Sequence, residues 1–536
     1  MTEPTRAWRT TFFRCIGLGI VVMVAVGLAA CGGTSNGESG GAPAKADVLT
    51  VADSGIVTTL DPRASSSSEV RVLANLYETL ILANPPGSPE PYSPCLATSW
   101  EKSSDGLVWT FHLREGVTFH DGTPFNAAAV KYSFDATTKL GLGFAYIWSD
   151  LEKVRVVDDY TVELTMAKSL PVEPLAAAQY GSWIFSPKSA GKPQEWWDEG
   201  RDAGTGPYVL ESYKPNQEIV LGRNTEYWGK WKDNQFQTVV LPTITEPQTA
   251  RQMLENGTVD GVQIVPADSV PALKANPNLQ VQELATLTSV IIYLNTQRAP
   301  LDNVLVRQAL AYATPYQDII TASMNDLAVQ SNGPMPEGLW PRDDTIQPYT
   351  YDINKAKDLM VQAGYPDANF KVVMSYPAEE SYHKNMAVLL KESWAKIGFQ
   401  LDIRPMLWAQ AWEKAKGPED KRWDVLSITW WPGYAHGYDT LYEELHSETT
   451  TAFNLAYWSD KEYDNLIDTA WATESLDRPK AKAMYDEAQV MIHDQVPIIY
   501  AWDFLNVVAW SNKLKFEPMA ECMFYPVVIR YYYVTL

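Results

Sequence analysis

Residues 107–127 read Leu-Val-Trp-Thr-Phe-His-Leu-Arg-Glu-Gly-Val-Thr-Phe-His-Asp-Gly-Thr-Pro-Phe-Asn-Ala. Large apolar side chains occupy every second position from Leu107 to Leu113, and mostly polar ones stand between them. Successive side chains of a β-strand point to opposite faces, so this pattern predicts a strand with one apolar face.

Helix and strand signals alternate along the rest of the chain. Asp352 is predicted to cap a helix that ends at Gly364, and Asp302 is predicted to cap another. Residues 154–157 and 160–166 flank two Asp residues and predict a hairpin. This alternation predicts an α/β fold.

Length and charge narrow the classes of function. The 536 residues suffice for two to four domains or subdomains. The 65 acidic residues outnumber the 43 basic ones, giving a formal net charge of −22. Such a field repels phosphate backbones, so we expect no nucleic-acid partner.

The amino terminus carries the pattern of a secretory signal. Three Arg residues precede an uncharged run over residues 15–30, which is too short to cross a bilayer. The run ends in Leu28-Ala29-Ala30-Cys31 and resembles the lipobox of bacterial lipoproteins, a family in which the Cys is acylated. We therefore expect a signal peptide over 1–30, lipidation of Cys31 and a flexible lipidated tether over 31–47. The mature protein would be lipid-anchored on the extracytoplasmic face of the cell membrane.

Two further cysteines, Cys95 and Cys522, belong to the mature body. An oxidising compartment permits a disulfide between them, and a pair of free thiols is the alternative. The His residues are scattered, so we predict no metal site.

Motifs for catalysis are missing from the sequence. The glycine-rich run over 203–207 is followed by a predicted strand, whereas a phosphate-binding loop opens a helix. The chain also has no nucleophile elbow and no zinc-protease motif. We predict neither an enzyme nor a cofactor.

Several segments together resemble the large solute-binding proteins of bacterial ABC importers, the oligopeptide/dipeptide/nickel-binding family (family 5). The segments that carry the resemblance are residues 97–101, 104–106, 111–117, 119–127, 204–208, 223–224, 227–228, 256–260, 295–296, 300–302, 306–310 and 351–365. The resemblance covers roughly residue 48 to the end of the chain.

The resemblance implies an α/β, two-lobed fold like that of periplasmic binding proteins, with an extra subdomain on lobe I. The implied divisions are lobe I over 48–80, 204–290 and 500–536, the extra subdomain over 81–203, and lobe II over 291–499. The chain would cross between the lobes near residues 290 and 500.

An aromatic loop is the candidate ligand wall. The segment over 430–439 reads Trp-Trp-Pro-Gly-Tyr-Ala-His-Gly-Tyr-Asp and follows an apolar strand. It resembles the ligand-contacting loop of the family in position, and a loop held down by its own rings is the alternative. The residues expected to contact the ligand are Trp430, Trp431, Tyr434, His436, Tyr500 and Trp502.

One departure from the family bears on the ligand. Peptide-binding members hold the peptide's α-ammonium with an Asp in this loop, and here Tyr434 stands where that Asp is expected. Asp439 is the nearest carboxylate. A buried ammonium without a counter-charge is costly, so we expect a neutral polar solute such as an oligosaccharide, with a peptide as the alternative.

The function implied is that of a receptor that captures a solute by hinge closure and delivers it to an ABC permease. Partner subunits would hydrolyse ATP, and the receptor would be a monomer. The alternatives are a sensor or chaperone without transport, and a secreted hydrolase that uses the same cleft.

Overall fold

The computed structural model describes residues 47–536 except 56, 86–87, 264, 520 and 523–527, and only the backbone of 521–522. The predicted signal peptide and Cys31 lie outside the described residues, as does the tether apart from its last residue. The predicted disulfide also stays a prediction, because the side chain of Cys522 is not described. Cys95 is buried, with its thiol 3.6 Å from Glu78 Oε1.

The strands of the described residues are β1 (Val48–Ala52), β2 (Ile81–Ala83), β3 (Tyr92–Pro94), β4 (Ala97–Lys102), β5 (Val108–Leu113), β6 (Leu151–Asp158), β7 (Thr161–Met166), β8 (Tyr208–Lys214), β9 (Glu218–Arg223), β10 (Thr238–Pro242), β11 (Gly261–Val262), β12 (Leu279–Leu294), β13 (Ala328–Val329), β14 (Phe370–Ser375), β15 (Phe399–Ile403), β16 (Val425–Trp430), β17 (Ile498–Ser511), β18 (Lys515–Phe516), β19 (Glu521–Cys522), β20 (Val528–Ile529) and β21 (Val534–Thr535).

The α-helices of the same residues are α1 (Val70–Leu76), α2 (Ala127–Leu140), α3 (Glu173–Ala176), α4 (Gln194–Asp198), α5 (Pro247–Glu255), α6 (Val270–Lys274), α7 (Val304–Tyr312), α8 (Tyr316–Met324), α9 (Ile353–Gln362), α10 (Ser381–Ala395), α11 (Trp408–Ala415), α12 (Gly437–Leu445), α13 (Lys461–Glu474) and α14 (Arg478–Gln495).

One long sheet runs through most of the chain, in the order β15-β14-β16-β12-β17-β11-β1-β10-β9-β8. Its two longest strands, β12 and β17, pair antiparallel at its centre and join an N-terminal half of the sheet to a C-terminal half. The chain positions near 290 and 500, where crossings between lobes are expected, are neighbours in this pair, since Ile291 lies opposite Tyr500. The register of this pair shifts twice, between Ala285 and Ser289 and between Val290 and Ile291.

Alternation along β12 separates the two cores of the C-terminal half. Val290 and Ile292 pack in one cluster with apolar residues of α7–α10, whereas Ile291 and Tyr293 pack in another with those of α12–α14. The side of the sheet to which a residue belongs therefore decides which set of helices it meets.

The segment over 107–127 lies in a separate four-stranded sheet, in the order β4-β5-β7-β6. The predicted strand is confirmed, with Trp109, Phe111 and Leu113 buried. The predicted hairpin is confirmed as the antiparallel pair β6–β7.

The helix predicted at Asp352 is confirmed. Asp352 accepts hydrogen bonds from the N–H groups of residues 354 and 355, and Gly364 follows the helix with a φ of +87°. The cap predicted at Asp302 is wrong by one residue. Asn303 Oδ1 accepts from the N–H of Leu305 at 2.9 Å, because Asn303 is the last extended residue before α7.

Candidate ligand-binding site

Three polar or aromatic side chains stand side by side on neighbouring strands of the central sheet. Ser289 of β12 lies opposite Trp430 of β16 on one side and Asp503 of β17 on the other. Residues in register share a face of a sheet, so the three side chains project to the same side. Trp430 is the last residue of its strand, and the aromatic loop begins there.

Asp503 is a carboxylate on the crossing strand and is only 4% exposed. Its Oδ1 accepts hydrogen bonds from the hydroxyls of Ser289, at 2.7 Å, and Ser331. No Lys or Arg of the described residues forms an ion pair with it. Burial raises the pKa of Asp503 to about 6, and the two serine hydroxyls and the charge of Arg342, which forms no ion pair with it, oppose that rise.

A second buried carboxylate, Asp439, lies in the first turn of α12, directly after the aromatic loop. Its Oδ2 accepts the backbone N–H of Gly433 at 2.8 Å, and Tyr146 Oη lies 3.5 Å from Oδ1. Burial raises the pKa of Asp439 to about 7. Within the described part of the chain it has no cationic partner either.

Two glutamates extend this acidic group along α12. Burial and the charge of Asp439 raise the pKa of Glu443 to about 8. Glu444 is fully enclosed and accepts a hydrogen bond from Tyr500 Oη at 3.0 Å. The three carboxylates of α12 act on one another and create a negative potential that the described residues do not neutralise by ion pairs.

Gly433 marks the point where the loop meets the segment that follows α2. A Cβ at this position would lie 2.5 Å from a ring carbon of Phe144 and 2.8 Å from Tyr146 Oη. Only glycine allows this approach. The loop on the C-terminal half and the segment around residue 145 are therefore in direct contact.

A line of aromatic rings leads from the surface to Trp430 and Tyr146. Trp408 on α11 is partly exposed, and its ring centroid lies 5.1 Å from that of Trp412. Trp412 is 5.5 Å from Phe453, which lies 5.7 Å from Trp430 and 6.2 Å from Tyr146. The rings provide an apolar wall beside the buried carboxylates.

The structure separates the six predicted contact residues. Trp430 and Trp431 are half-buried at the end of β16. Tyr434 is buried in contact with Trp471, and Tyr500 is held by Glu444.

His436 is engaged at both ring nitrogens. Nδ1 accepts the N–H of Tyr438 at 3.0 Å and caps α12, while Nε2 is 3.1 Å from Glu474 Oε1. His436 is also only 2% exposed. In this structure it fixes the start of the helix and offers no free nitrogen to a ligand.

Trp502 lies on the opposite face of the sheet from Asp503. It is fully buried and packs edge-on against Tyr382 at 6.2 Å, within the core formed by α7–α10. The structure therefore does not bring Trp502 together with Trp430. Trp502 and Asp503 are adjacent in β17, and successive side chains of a strand point to opposite faces.

Sequence reasoning missed Asp503, Tyr146 and Phe453. Asp503 could have been noticed, because it is a charged residue directly after the apolar run 498–502. No such signal exists for Tyr146 or Phe453, because their neighbours come from distant parts of the chain. No group of His, Cys, Asp and Glu among the described residues is arranged to hold a metal ion.

The fold and this site define a class, that of two-lobed binding proteins with α/β lobes. Residues 91–452 match the model of the bacterial extracellular solute-binding proteins, family 5, and the chain belongs to that family. Within the part of the chain that the structure describes, no helix has both the length and the apolar character needed to cross a membrane.

Individual relatives agree with this assignment. The heme-binding protein A of Haemophilus influenzae is 32% identical over 456 residues, which are 79% of this chain and 81% of that protein. The dipeptide-binding protein of Escherichia coli is 29% identical over 463 residues, 80% of this chain and 82% of the relative. Both are binding proteins rather than enzymes by name.

Solved structures show the same architecture. The periplasmic binding protein DppA of Helicobacter pylori, in complex with the peptide STSA, superposes with a TM-score of 0.75 at 28% identity and covers 91% of this chain and 98% of its own. HbpA2 of Haemophilus parasuis superposes with a TM-score of 0.79 at 23% identity, covering 91% and 99%, and shows the shared fold.

Proposed function

We propose that this protein is the lipid-anchored extracytoplasmic receptor of an ABC importer and that its ligand carries a protonated amine, as the amino terminus of a short peptide does. Membership of family 5 supports the receptor role, and the Leu-Ala-Ala-Cys31 sequence supports the anchor. The receptor binds its solute by closure of the two lobes and passes it to the permease without chemical change.

The observation that carries the ligand class is the pair of buried carboxylates, Asp439 and Asp503. Each is at least 96% buried, and neither forms an ion pair among the described residues. A buried carboxylate without a paired counter-charge costs several kcal/mol, and burial is the main cause that raises both pKa values. A ligand ammonium paired with either carboxylate supplies a counter-charge and returns that group to the ionised state.

This proposal replaces the neutral solute favoured by the sequence. That expectation rested on Tyr434, which stands where the family has an Asp. In the folded protein, however, the carboxylate of Asp439 lies against the loop. Asp439 reaches back to the N–H of Gly433, one residue before Tyr434. The names of several relatives include dipeptides and tripeptides, and these are ligands with an ammonium group.

Calorimetry with matched ligands tests the ligand class. A pool of short peptides, the same pool after N-acetylation, and a neutral trisaccharide are titrated into the full chain at pH 7.5. We expect heat only from the free peptides, and a loss of about 100-fold in affinity on acetylation, since the ammonium then no longer pairs with a buried charge.

Two variants connect that result to the carboxylates. Asp503→Asn and Asp439→Asn keep the side-chain shape and remove the charge, so both should weaken peptide binding by at least about tenfold. Asp105→Asn is the matched control, because Asp105 is an exposed turn residue whose side chain bonds only to its neighbours Ser103 and Leu107. Binding of the trisaccharide in place of the peptides would reject the cationic ligand and leave the receptor role standing.

A further inference from the structure

A small cavity lies among residues that come mainly from the N-terminal part of the chain and from its last residues. It is formed where the end of α1, the segment after α3 and the last residues of the chain meet, and its volume is about 30 Å³. The polar and aromatic residues that line it include Tyr77, Glu78, Gln179, Trp183, Arg530 and Tyr533. A volume of this size holds about two water molecules.

Three of the lining side chains are buried, and two of them, Gln179 and Trp183, carry buried polar atoms without partners. Arg530 is 8% exposed and forms no hydrogen bond or ion pair through its guanidinium within the described residues. Gln179 is 2% exposed with neither amide atom paired, and Trp183 is 4% exposed with its indole N–H unpaired. Buried polar groups are normally hydrogen-bonded, so two unpaired side chains beside an unpaired arginine indicate that a component of the site is missing.

Glu78 cannot be that component, although it lines the same cavity. Its Oε1 accepts from Tyr227 Oη at 3.0 Å and from Trp228 Nε1 at 3.1 Å, with the thiol of Cys95 at 3.6 Å. Its Oε2 accepts from Thr205 Oγ1 at 2.8 Å. The carboxylate is therefore already saturated by donors other than Arg530.

The charges of this region do not balance. Arg114 packs 3.9 Å above the ring of Trp228 and donates to the carbonyl of Cys95 at 3.0 Å, so it is a second cation beside the single carboxylate of Glu78. All three charged groups act electrostatically on the thiol of Cys95. Burial and Glu78 raise the pKa of that thiol, and Arg530 and Arg114 oppose the rise. Two arginines and one glutamate leave one positive charge.

The unpaired atoms specify the missing group. Of the buried unpaired atoms, the amide NH2 of Gln179 and the indole N–H of Trp183 are donors, and Gln179 Oε1 is an acceptor. The guanidinium of Arg530 adds further donors. An acceptor that carries one negative charge would satisfy the donors and the charge together.

We propose that this cavity binds one small monovalent anion, of the size of chloride or formate, between Arg530, Gln179 and Trp183. The anion ties together three segments that are far apart in sequence and so holds the carboxyl-terminal segment against α1. The residues that line the cavity include none from the aromatic loop, and the anion proposal does not rest on the proposed function.

Anomalous scattering locates the anion directly. Crystals of the full chain are grown with sodium bromide as the only halide, and an anomalous difference map is calculated at the bromine absorption edge. We expect a peak beside the guanidinium of Arg530, and no peak there in crystals of Arg530→Met. A cavity that holds only water in bromide-grown crystals would overturn the proposal.

Thermal unfolding gives a second readout that does not need crystals. The melting temperature is followed as chloride or formate replaces gluconate at constant ionic strength, since gluconate is too large to enter. A bound anion raises the melting temperature with its concentration, by about 2 °C for a protein of this size.

The dependence on anion, rather than the melting temperature itself, is the quantity compared among variants. It should disappear in Arg530→Met and be reduced in Gln179→Leu, which keeps the guanidinium if the first variant fails to fold. Arg404→Met, at an exposed arginine paired with Asp402, should retain the full dependence. Equal dependence in all of these proteins would contradict the proposal.

Discussion

Asp439 Oδ2 accepts the backbone N–H of Gly433 at 2.8 Å, and this bond closes the turn that carries Tyr434 and His436. The carboxylate is thereby held under the loop and beside Tyr146, on the far side of the contact. Gly433 thus has two roles: its missing side chain allows the loop to approach Phe144, and its N–H holds the carboxylate of Asp439 in place.

The acidic group makes unliganded stability depend on pH. The folded-state pKa values of about 6 for Asp503, 7 for Asp439 and 8 for Glu443 all lie above the ordinary values of 3.8 and 4.5. A raised carboxyl pKa means that the folded state binds protons more tightly than the unfolded state. Its contribution to stability is therefore complete below about pH 4 and is lost as the pH rises toward 8.

We expect the free energy of unfolding of the ligand-free protein to fall over this interval by about 3 kcal/mol through Asp503, and by a further several kcal/mol through Asp439 and Glu443 acting together. Denaturant unfolding at pH 5, 6, 7 and 8 measures the fall. Asp503→Asn should be less sensitive to pH between 5 and 7 than the parent protein. If the stability of the parent protein does not change between pH 5 and 8, the raised pKa values of these three carboxyl groups are wrong.

Gly433→Ala should obstruct closure. The added methyl group would stand 2.5 Å from the ring of Phe144, so the loop and that segment must separate. We expect affinity for the peptide ligand to fall by about tenfold or more, with little change in the melting temperature if the separated form is well folded. Calorimetry and small-angle scattering check the two effects. Gly333→Ala is the control, since a Cβ there meets nothing within 4 Å.

Trp431→Ala and Trp502→Ala should behave differently. Trp431 is half-buried on the aromatic loop, so its removal is expected to weaken ligand binding without lowering thermal stability much. Trp502 is fully buried in the core, so its removal should cost about 3–5 kcal/mol of unfolding free energy. Fluorescence titration and thermal unfolding measure the pair. If Trp431→Ala unfolds the protein or binds normally, the loop is a packing element.

Cys31→Ser should release the protein from membranes in its native host. The hydroxyl of Ser does not accept the lipid as the thiol would, so the variant should move to the soluble extracytoplasmic fraction. Fractionation followed by immunoblotting measures the distribution, with Cys95→Ser as the control at a buried cysteine of the body. A Ser variant that stays with membranes and carries no diacylglycerol would contradict the lipobox.

Much of the fold was predictable because its signals are local. The alternation around Trp109 and the cap at Asp352 involve residues a few positions apart, and the structure confirms both. The cap at Asp302 failed by one residue because both Asp and Asn are favourable there, and only the backbone path selects Asn303.

The site was less predictable than the fold. Trp430 and Trp502 are both aromatic residues in apolar strands, and their sequences do not show that they face opposite sides of one sheet. His436 was expected to contact the ligand, but its ring caps α12 and pairs with Glu474. The sequence does not show this pairing, because Glu474 lies 38 residues away.

The sequence by itself determined the class of fold and the aromatic loop, because periodicity, capping residues and short motifs act through neighbours in the chain. Tertiary structure alone decided where the charges lie. Asp503 meets Ser289 only when β12 and β17 pair, and Gly433 meets Phe144 only when segments almost 290 residues apart come into contact. The burial that shifts a pKa depends on what covers a side chain, and in this protein the covering residues come from distant segments.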